Sequence, residues 1–169
     1  MPQITKYSEQ IHIATEGGGS IWHLSKDGKL IFDKKLSRKL DKHSKANIVT
    51  QIKSLARDSG LVIDGVKLEV IDDRLSEVAL LFRDKELVWR LPGFAQKLAE
   101  RLSGFIVVYS SVAVDIVSVK KEDAVKELAE RINVDLKDIV VCGDGPNDFG
   151  MLALNGIMLK EYGKSLTKN

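Results

Sequence analysis

The order helix, strand, strand occurs twice between residues 40 and 117, and this repeat constrains the fold more than any other feature of the sequence. Apolar residues recur at helical spacing from Lys42 to Ser59 and again from Leu91 to Leu102. Each helix is followed by two short apolar segments, at 66–71 and 77–82 and at 105–109 and 112–117. The repeat therefore predicts one αββαββ unit, a four-stranded antiparallel sheet covered on one face by two helices.

The segments on either side of this unit follow other patterns. Residues 10–24 contain two short apolar runs around Gly17, Gly18 and Gly19, which predicts a strand, a tight turn and a strand. After Val119 the sequence predicts a helix to Ile132, a strand at 139–142, a helix near Phe149 and a strand at 156–159. Such alternation of helices and strands is typical of a parallel sheet.

Composition narrows the class of protein. The 169 residues include 26 basic and 24 acidic side chains, and a net charge of +2 gives no argument for nucleic acid or an anionic membrane. No stretch approaches the roughly 18 uninterrupted apolar residues of a membrane span, and residues 1–10 lack the apolar core of a secretion signal. The single cysteine, Cys142, excludes a disulfide framework within the chain. We therefore expect a cytoplasmic protein in which Cys142 fills a small buried space.

The loop after the predicted strand at 139–142 carries the residues most suggestive of chemistry. Asp144 and Asp148 stand four positions apart, with Asn147 between them and glycines and a proline shaping the turn. Four apolar residues before the loop should bury the strand, and ligands of open α/β sheets bind at the carboxyl ends of strands. Carboxylates and an amide there suit a hard cation such as Mg²⁺. The alternative is that Asp148 merely caps the following helix.

A lysine begins the helix that precedes this loop. Lys121 follows Lys120 and comes just before Glu122 and Asp123. Its ammonium group is a compact charge that can face an anion near the edge of the sheet, although most surface lysines have no such role.

The stretch from Asp115 to Leu159 resembles the C-terminal half of haloacid dehalogenase-like phosphatases, in the branch of archaeal phosphoglycolate phosphatases, Cof-type phosphatases and sugar-phosphate phosphatases. In that family a lysine that begins a helix is followed by a strand and a G-D-x-x-N-D loop, which matches residues 143–148. The resemblance implies that Lys121 is the catalytic lysine that binds phosphate and orients the nucleophile. It also implies that Asp144 and Asp148 hold Mg²⁺ and that Asn147 contributes to the substrate site.

The resemblance extends over nearly the whole chain. Residues 13–19 look like the family's I-A-E-N-G-G turn that precedes an inserted cap. The implied fold is α/β, with a partial Rossmann-like core formed by 1–32 and 118–169 and an αββαββ cap formed by 33–117. The implied substrate is a small phosphoester, such as phosphoglycolate or a sugar phosphate.

The sequence departs from the family at the nucleophile. Members use an aspartate nucleophile in a D-x-D motif, but no aspartate of this chain is followed two positions later by another. Phosphoryl transfer needs an attacking group together with the metal and the cation, so we expect no hydrolysis by this chain alone unless another carboxylate, such as Glu16, has been recruited.

Two alternatives to autonomous catalysis stay open. The chain is either a non-catalytic interaction module derived from a phosphatase or half of a split enzyme that a homo-oligomer or a protein partner completes. A basic run from Lys34 to Lys45, with six lysines and arginines against one acid, is either a solvated helix face or a surface for an anionic partner such as RNA. An incomplete sheet would also expose an edge that favours association.

Overall fold

The computed structural model describes residues 11–143 and 146–158. The chain divides between Lys120 and Lys121 into two compact units. Both units combine helices and strands, and the predicted α/β class is confirmed. The predicted cap boundaries at 33 and 117 stay a prediction. No helix among the described residues is both long enough and apolar enough to span a membrane.

The first unit opens with the predicted hairpin. Strands β1 (His12–Thr15), β2 (Ser20–Leu24) and β3 (Leu30–Phe32) form an antiparallel sheet in that order. The turn between β1 and β2 is a short 3-10 helix, Glu16–Gly18, whose three residues all have positive φ. Glycine adopts this conformation without steric cost, so the glycines permit the tight reversal that the sequence predicted.

The two helices of the αββαββ unit lie on the same face of its sheet. Helix α1 (Lys42–Asp58) begins after Asp41, whose carboxylate accepts hydrogen bonds from the backbone N–H groups of His43 and Ser44 at 2.8 and 2.9 Å. Helix α2 (Leu91–Arg101) has Pro92 in its first turn, where a missing N–H costs no helical bond. Because α1 begins only at Lys42, most of the basic run from Lys34 is not helical, and the predicted helix face there is wrong.

Four strands complete the αββαββ unit and confirm its predicted antiparallel sheet. They are β4 (Leu68–Ile71), β5 (Glu77–Phe82), β6 (Ile106–Tyr109) and β7 (Ala113–Val117). Their spatial order is β4-β5-β7-β6.

One face of this sheet carries the core. The register pairs Leu68 with Phe82, Leu80 with Val114, and Val107 with Ile116 across neighbouring strands. Because side chains alternate along a strand, these residues share one face, and they pack with the buried residues of both helices in a single cluster. The sheet is therefore covered on that face by α1 and α2, as the sequence predicted.

The second unit has the predicted alternation of helices and strands. It contains α3 (Lys121–Ile132), β8 (Val141–Gly143), α4 (Phe149–Asn155) and β9 (Gly156–Met158). Strands β8 and β9 pair in parallel, with Cys142 opposite Ile157. Strand β8 starts two residues later than predicted. Before it, the side-chain amide of Asn155 donates to the carbonyl oxygens of Lys137 and Ile139, at 3.2 and 2.7 Å.

The prediction that the strand before the loop is wholly buried is wrong. Val141 is 7% exposed, whereas Val140 is 64% exposed and Cys142 is also exposed. Neighbouring side chains point to opposite faces of a strand, so Val140 and Cys142 share the face that the described residues leave uncovered. Cys142 is therefore not the buried filler that the sequence predicted.

Candidate phosphate and metal site

Lys121 is the first residue of helix α3. Glu122 and Asp123 occupy the first turn and Arg131 the last, which is the charge distribution that the helix dipole favours. Ala124 and Ala129 are buried, so the helix packs through small side chains while its first residue stays near the surface. The side chain of Lys121 is 31% exposed. The lysine can therefore contact solvent or a solute while its stem is covered by protein.

Asp148 ends a short 3-10 helix, Pro146–Asp148, immediately before α4. It is 6% exposed as a residue. A Cβ atom added to Gly143 would lie 2.5 Å from the Cβ of Asp148, so the end of β8 and the aspartate approach each other more closely than a larger residue would allow. The glycine at position 143 thus leaves room for the side chain of Asp148.

Lys121 and Asp148 form an ion pair. The lysine Nζ donates a hydrogen bond to Asp148 Oδ1 at 2.5 Å, although the residues are 27 positions apart in sequence. Asp148 occupies the N-cap position of α4, but its side chain makes no capping hydrogen bond. The alternative in which Asp148 serves only as a helix cap is therefore wrong. Its carboxylate instead orients the ammonium group of Lys121.

Of the two remaining predicted site residues, Asn147 and Asp144, the structure describes only Asn147. Asn147 lies next to Asp148 and is half-buried. Asp144 lies outside the described residues, so the proposed pairing of Asp144 with Asp148 around a metal stays a prediction. Within the described ranges 11–143 and 146–158, no three His, Cys, Asp or Glu side chains group together in a way that could hold a metal ion.

The oxygen atoms of the predicted metal ligands nevertheless suit a hard cation. Asp148 brings a carboxylate that is 8% exposed, in a loop that also contains Asp144 and the amide of Asn147. Oxygen ligands of this kind suit Mg²⁺, which commonly takes only one or two protein carboxylates and retains water. A cation beside an already paired carboxylate and lysine would need the second carboxylate to balance its charge. Asp144 is the residue in this loop that can supply it.

Glu16, the recruited nucleophile considered above, is fully engaged in hydrogen bonds within the first unit. Its Oε1 accepts from the backbone N–H of Leu75 at 3.1 Å, and its Oε2 accepts from the N–H of Ser76 at 2.5 Å and the hydroxyl of Ser20 at 2.9 Å. The carboxylate therefore fastens the β1–β2 turn to the connection between β4 and β5. Sequence patterns do not reveal these contacts because Leu75 and Ser76 lie 59 and 60 positions after Glu16 in the chain.

The family model for haloacid dehalogenase-like hydrolases matches residues 2–160. No curated protein matches the chain by sequence.

Three solved structures illustrate the likeness in fold. The IMP-bound IMP-nucleotidase of Plasmodium falciparum is 10% identical at a TM-score of 0.66, covering 95% of this chain and 48% of its own. The sucrose-phosphatase of Synechocystis, in complex with sucrose and phosphate, is 17% identical at a TM-score of 0.52, over 84% of this chain and 55% of its own. A haloacid dehalogenase-like hydrolase from B. subtilis is 16% identical at a TM-score of 0.57, over 92% of this chain and 72% of its own. This chain thus spans about half the length of the nucleotidase and the sucrose-phosphatase.

Proposed function

Because this chain belongs to the haloacid dehalogenase-like hydrolase family, we propose that it carries the phosphate-binding and metal-binding half of a Mg²⁺-dependent phosphatase. The substrate class is a small phosphoester, such as phosphoglycolate or a sugar phosphate. The observation that carries the proposal is the ion pair between Lys121 and Asp148 beside the carboxyl end of β8. A lysine at the start of a helix can bind an incoming phosphate through its own charge and through the helix N-terminus.

Lys121 neutralises charge on the phosphate. The N-terminus of α3 adds the positive end of a 12-residue helix at the same place. Asp148 keeps the ammonium group in position before substrate arrives, so less side-chain entropy is lost on binding. Asp144 and Asp148 would hold Mg²⁺, which supplies charge neutralisation for phosphate oxygens, and Asn147 would contact the substrate.

The attacking group is absent from these residues. The sequence contains no Asp-x-Asp motif, and both oxygens of Glu16 already accept hydrogen bonds. In-line attack is indispensable for phosphoryl transfer, so we propose that this chain alone does not turn over phosphoesters. A partner polypeptide, or a second copy in a homo-oligomer, would complete the core.

Exposed apolar residues of the second unit support a partner at the core. Val140, Phe149 and Ile157 are 64%, 56% and 54% exposed. Large apolar side chains at this exposure favour burial against another protein surface. Size-exclusion chromatography with light scattering tests self-association, and a monomer at high protein concentration would contradict it.

A non-catalytic interaction module is the second candidate function, favoured by the basic run from Lys34 to Lys45. Lys34, Lys35 and Lys39 are exposed. The carboxylate of Asp33 accepts hydrogen bonds from the backbone N–H groups of Lys35 and Leu36. The carboxylate of Asp41 accepts hydrogen bonds from those of His43 and Ser44. The cations of this run could therefore attract an anionic partner such as RNA.

Phosphate release decides between catalysis and binding. Purified chain is incubated with Mg²⁺ and a panel that includes phosphoglycolate and p-nitrophenyl phosphate, and Asp144→Asn is the control. We expect no release from the chain alone, together with calorimetric Mg²⁺ binding that Asp144→Asn weakens. Phosphate release by the wild-type chain that Asp144→Asn abolishes would refute the proposal that this chain lacks a nucleophile. Mg²⁺ binding that is unchanged in the variant would refute the metal site.

A further inference from the structure

A groove runs along the helix layer of the first unit, between the end of α1 and the start of α2. It consists of two adjoining clefts of about 540 and 310 Å³ that share Leu61 as a common wall. Phe94 and Leu61 form its floor and are 4% and 7% exposed. Trp89 lies at its rim, and we call it the Trp89 groove. It shares no residue with the Lys121–Asp148 site.

The rim of the Trp89 groove exposes more apolar surface than folding requires. Trp89 is 78% exposed and Val62 is 71% exposed. A tryptophan at this exposure leaves a large apolar ring in water, and tryptophan is enriched among the residues that dominate the binding energy of protein interfaces. The guanidinium of Arg90 lies 5.9 Å from the Trp89 ring and donates to the carbonyl oxygen of Ser59 at 2.7 Å. The rim is thus held in a defined shape.

The charge around the groove has one sign. Lys53, Arg57, Arg90 and Lys97 line the two clefts, and no aspartate or glutamate of the described residues does. Across the described part of the chain, Lys53, Arg57 and Lys97 enter none of the observed salt bridges, in contrast to Arg101, which pairs with Asp58. Because the chain as a whole carries only +2, this is a local concentration of unbalanced positive charge.

We propose that the Trp89 groove binds an acidic segment of a partner protein that inserts a large apolar side chain beside Trp89. The apolar floor would bury the anchor, and the four cations at the rim would attract flanking carboxylates. A second copy of this chain does not fit, since a symmetric contact would bring four cations against four. A nucleic acid fits less well, because Trp89 is the one aromatic residue at the rim among the residues that the structure describes, and single strands are held by successive stacking.

Selection from a phage-displayed library of random 16-residue peptides tests the proposal. The immobilised target is the wild-type chain, and the enriched peptides are remade synthetically with a fluorescent label. We expect the enriched sequences to combine aspartate or glutamate with a tryptophan, phenylalanine or leucine anchor. Failure to enrich, or enrichment of neutral or basic peptides, would overturn the proposal.

Variants locate the binding surface. We expect Trp89→Ala and Lys97→Glu each to weaken the selected peptide by about 10-fold or more in fluorescence anisotropy. Lys29→Glu makes the same charge change on an exposed lysine outside both the groove and the basic run from Lys34 to Lys45, and we expect it to change the affinity less than about two-fold. Equal affinity in wild type and both groove variants would overturn the proposal. All three residues are exposed, and circular dichroism confirms that the variants fold.

A labelled U12 oligonucleotide is the nucleic-acid arm of the same experiment. The proposal expects U12 binding, if any occurs, to be insensitive to Trp89→Ala. Binding of U12 that Trp89→Ala and Lys97→Glu abolish would assign the groove to nucleic acid and overturn the acidic partner.

Discussion

Lys121 Nζ and Asp148 Oδ1 lie 2.5 Å apart and join the start of α3 to the turn before α4. Replacing Asp148 by asparagine leaves a partly buried lysine without its countercharge. We expect a loss of about 1–2 kcal/mol in the free energy of unfolding, measured by urea denaturation. The double variant Lys121→Met with Asp148→Asn should lose less than the sum of the two single changes. Additive losses would show that the two side chains are not coupled.

Gly143 provides space for Asp148, so a methyl group at this position should displace the aspartate. An added Cβ would lie 2.5 Å from the Cβ of Asp148, a distance at which one of the two must move. We expect Gly143→Ala to destabilise the chain by about 1–3 kcal/mol. Gly93→Ala is the control, because a Cβ there meets nothing within 4 Å and the residue lies in α2. That variant should be neutral or slightly more stable, and equal losses in both variants would contradict the role of the contact.

Glu16 should hold the β1–β2 turn against the connection between β4 and β5. Its carboxylate accepts from Leu75, Ser76 and Ser20, and Ser76 is fully buried. We expect Glu16→Ala to cost about 2–3 kcal/mol and to accelerate hydrogen exchange at the amides of residues 75 and 76. Glu16→Gln keeps one acceptor oxygen and should have an intermediate effect. Unchanged exchange at these two amides would contradict this role.

Asp41 should make the stability of α1 depend on pH. Hydrogen bonds from the backbone and then the side chain of Ser44 lower the pKa of Asp41 below its ordinary value of 3.8. Its ionised form therefore stabilises the native state above pH 3.8, and this contribution is lost as the pH falls through the lowered native pKa.

Asp41→Asn tests this dependence because asparagine caps helices without a charge. The difference in melting temperature between wild type and Asp41→Asn should be largest near neutral pH and should disappear in acid. Asp41→Ala removes the cap itself and should lower the melting temperature by roughly 2–4 °C at neutral pH. A difference between wild type and Asp41→Asn that does not change with pH would contradict the charge effect.

Cys142 should react readily with a thiol reagent in the native state. It is exposed, and it is the single cysteine of the chain. We expect one equivalent of 5,5′-dithiobis(2-nitrobenzoate) to react with the monomeric chain in native buffer at a rate close to that in denaturing urea, because access is not limited by unfolding. Strong protection in native buffer would indicate that another surface covers β8.

The αββαββ unit could be derived from the sequence because its signals are local. The helical spacing from Lys42, the proline at position 92 and the alternation at 77–82 each depend on neighbouring residues. The position of β7 between β5 and β6 could not be derived in the same way, since β5 and β7 pair through residues far apart in sequence, such as Glu77 with Val117. Val140 and Cys142 show the same limit, because an apolar residue in a strand is buried only where another layer covers its face.

What the sequence by itself determined is the order of elements, the family resemblance and the residue types of the site, because periodicity, turn residues and motif spacing are properties of nearby positions. Only the tertiary structure decided that Asp148 pairs with Lys121 rather than capping α4, and that Glu16 is engaged by Leu75 and Ser76. These contacts join residues 27, 59 and 60 positions apart. A carboxylate is committed to whichever donors the folded chain brings within hydrogen-bonding distance, and that proximity is set by packing.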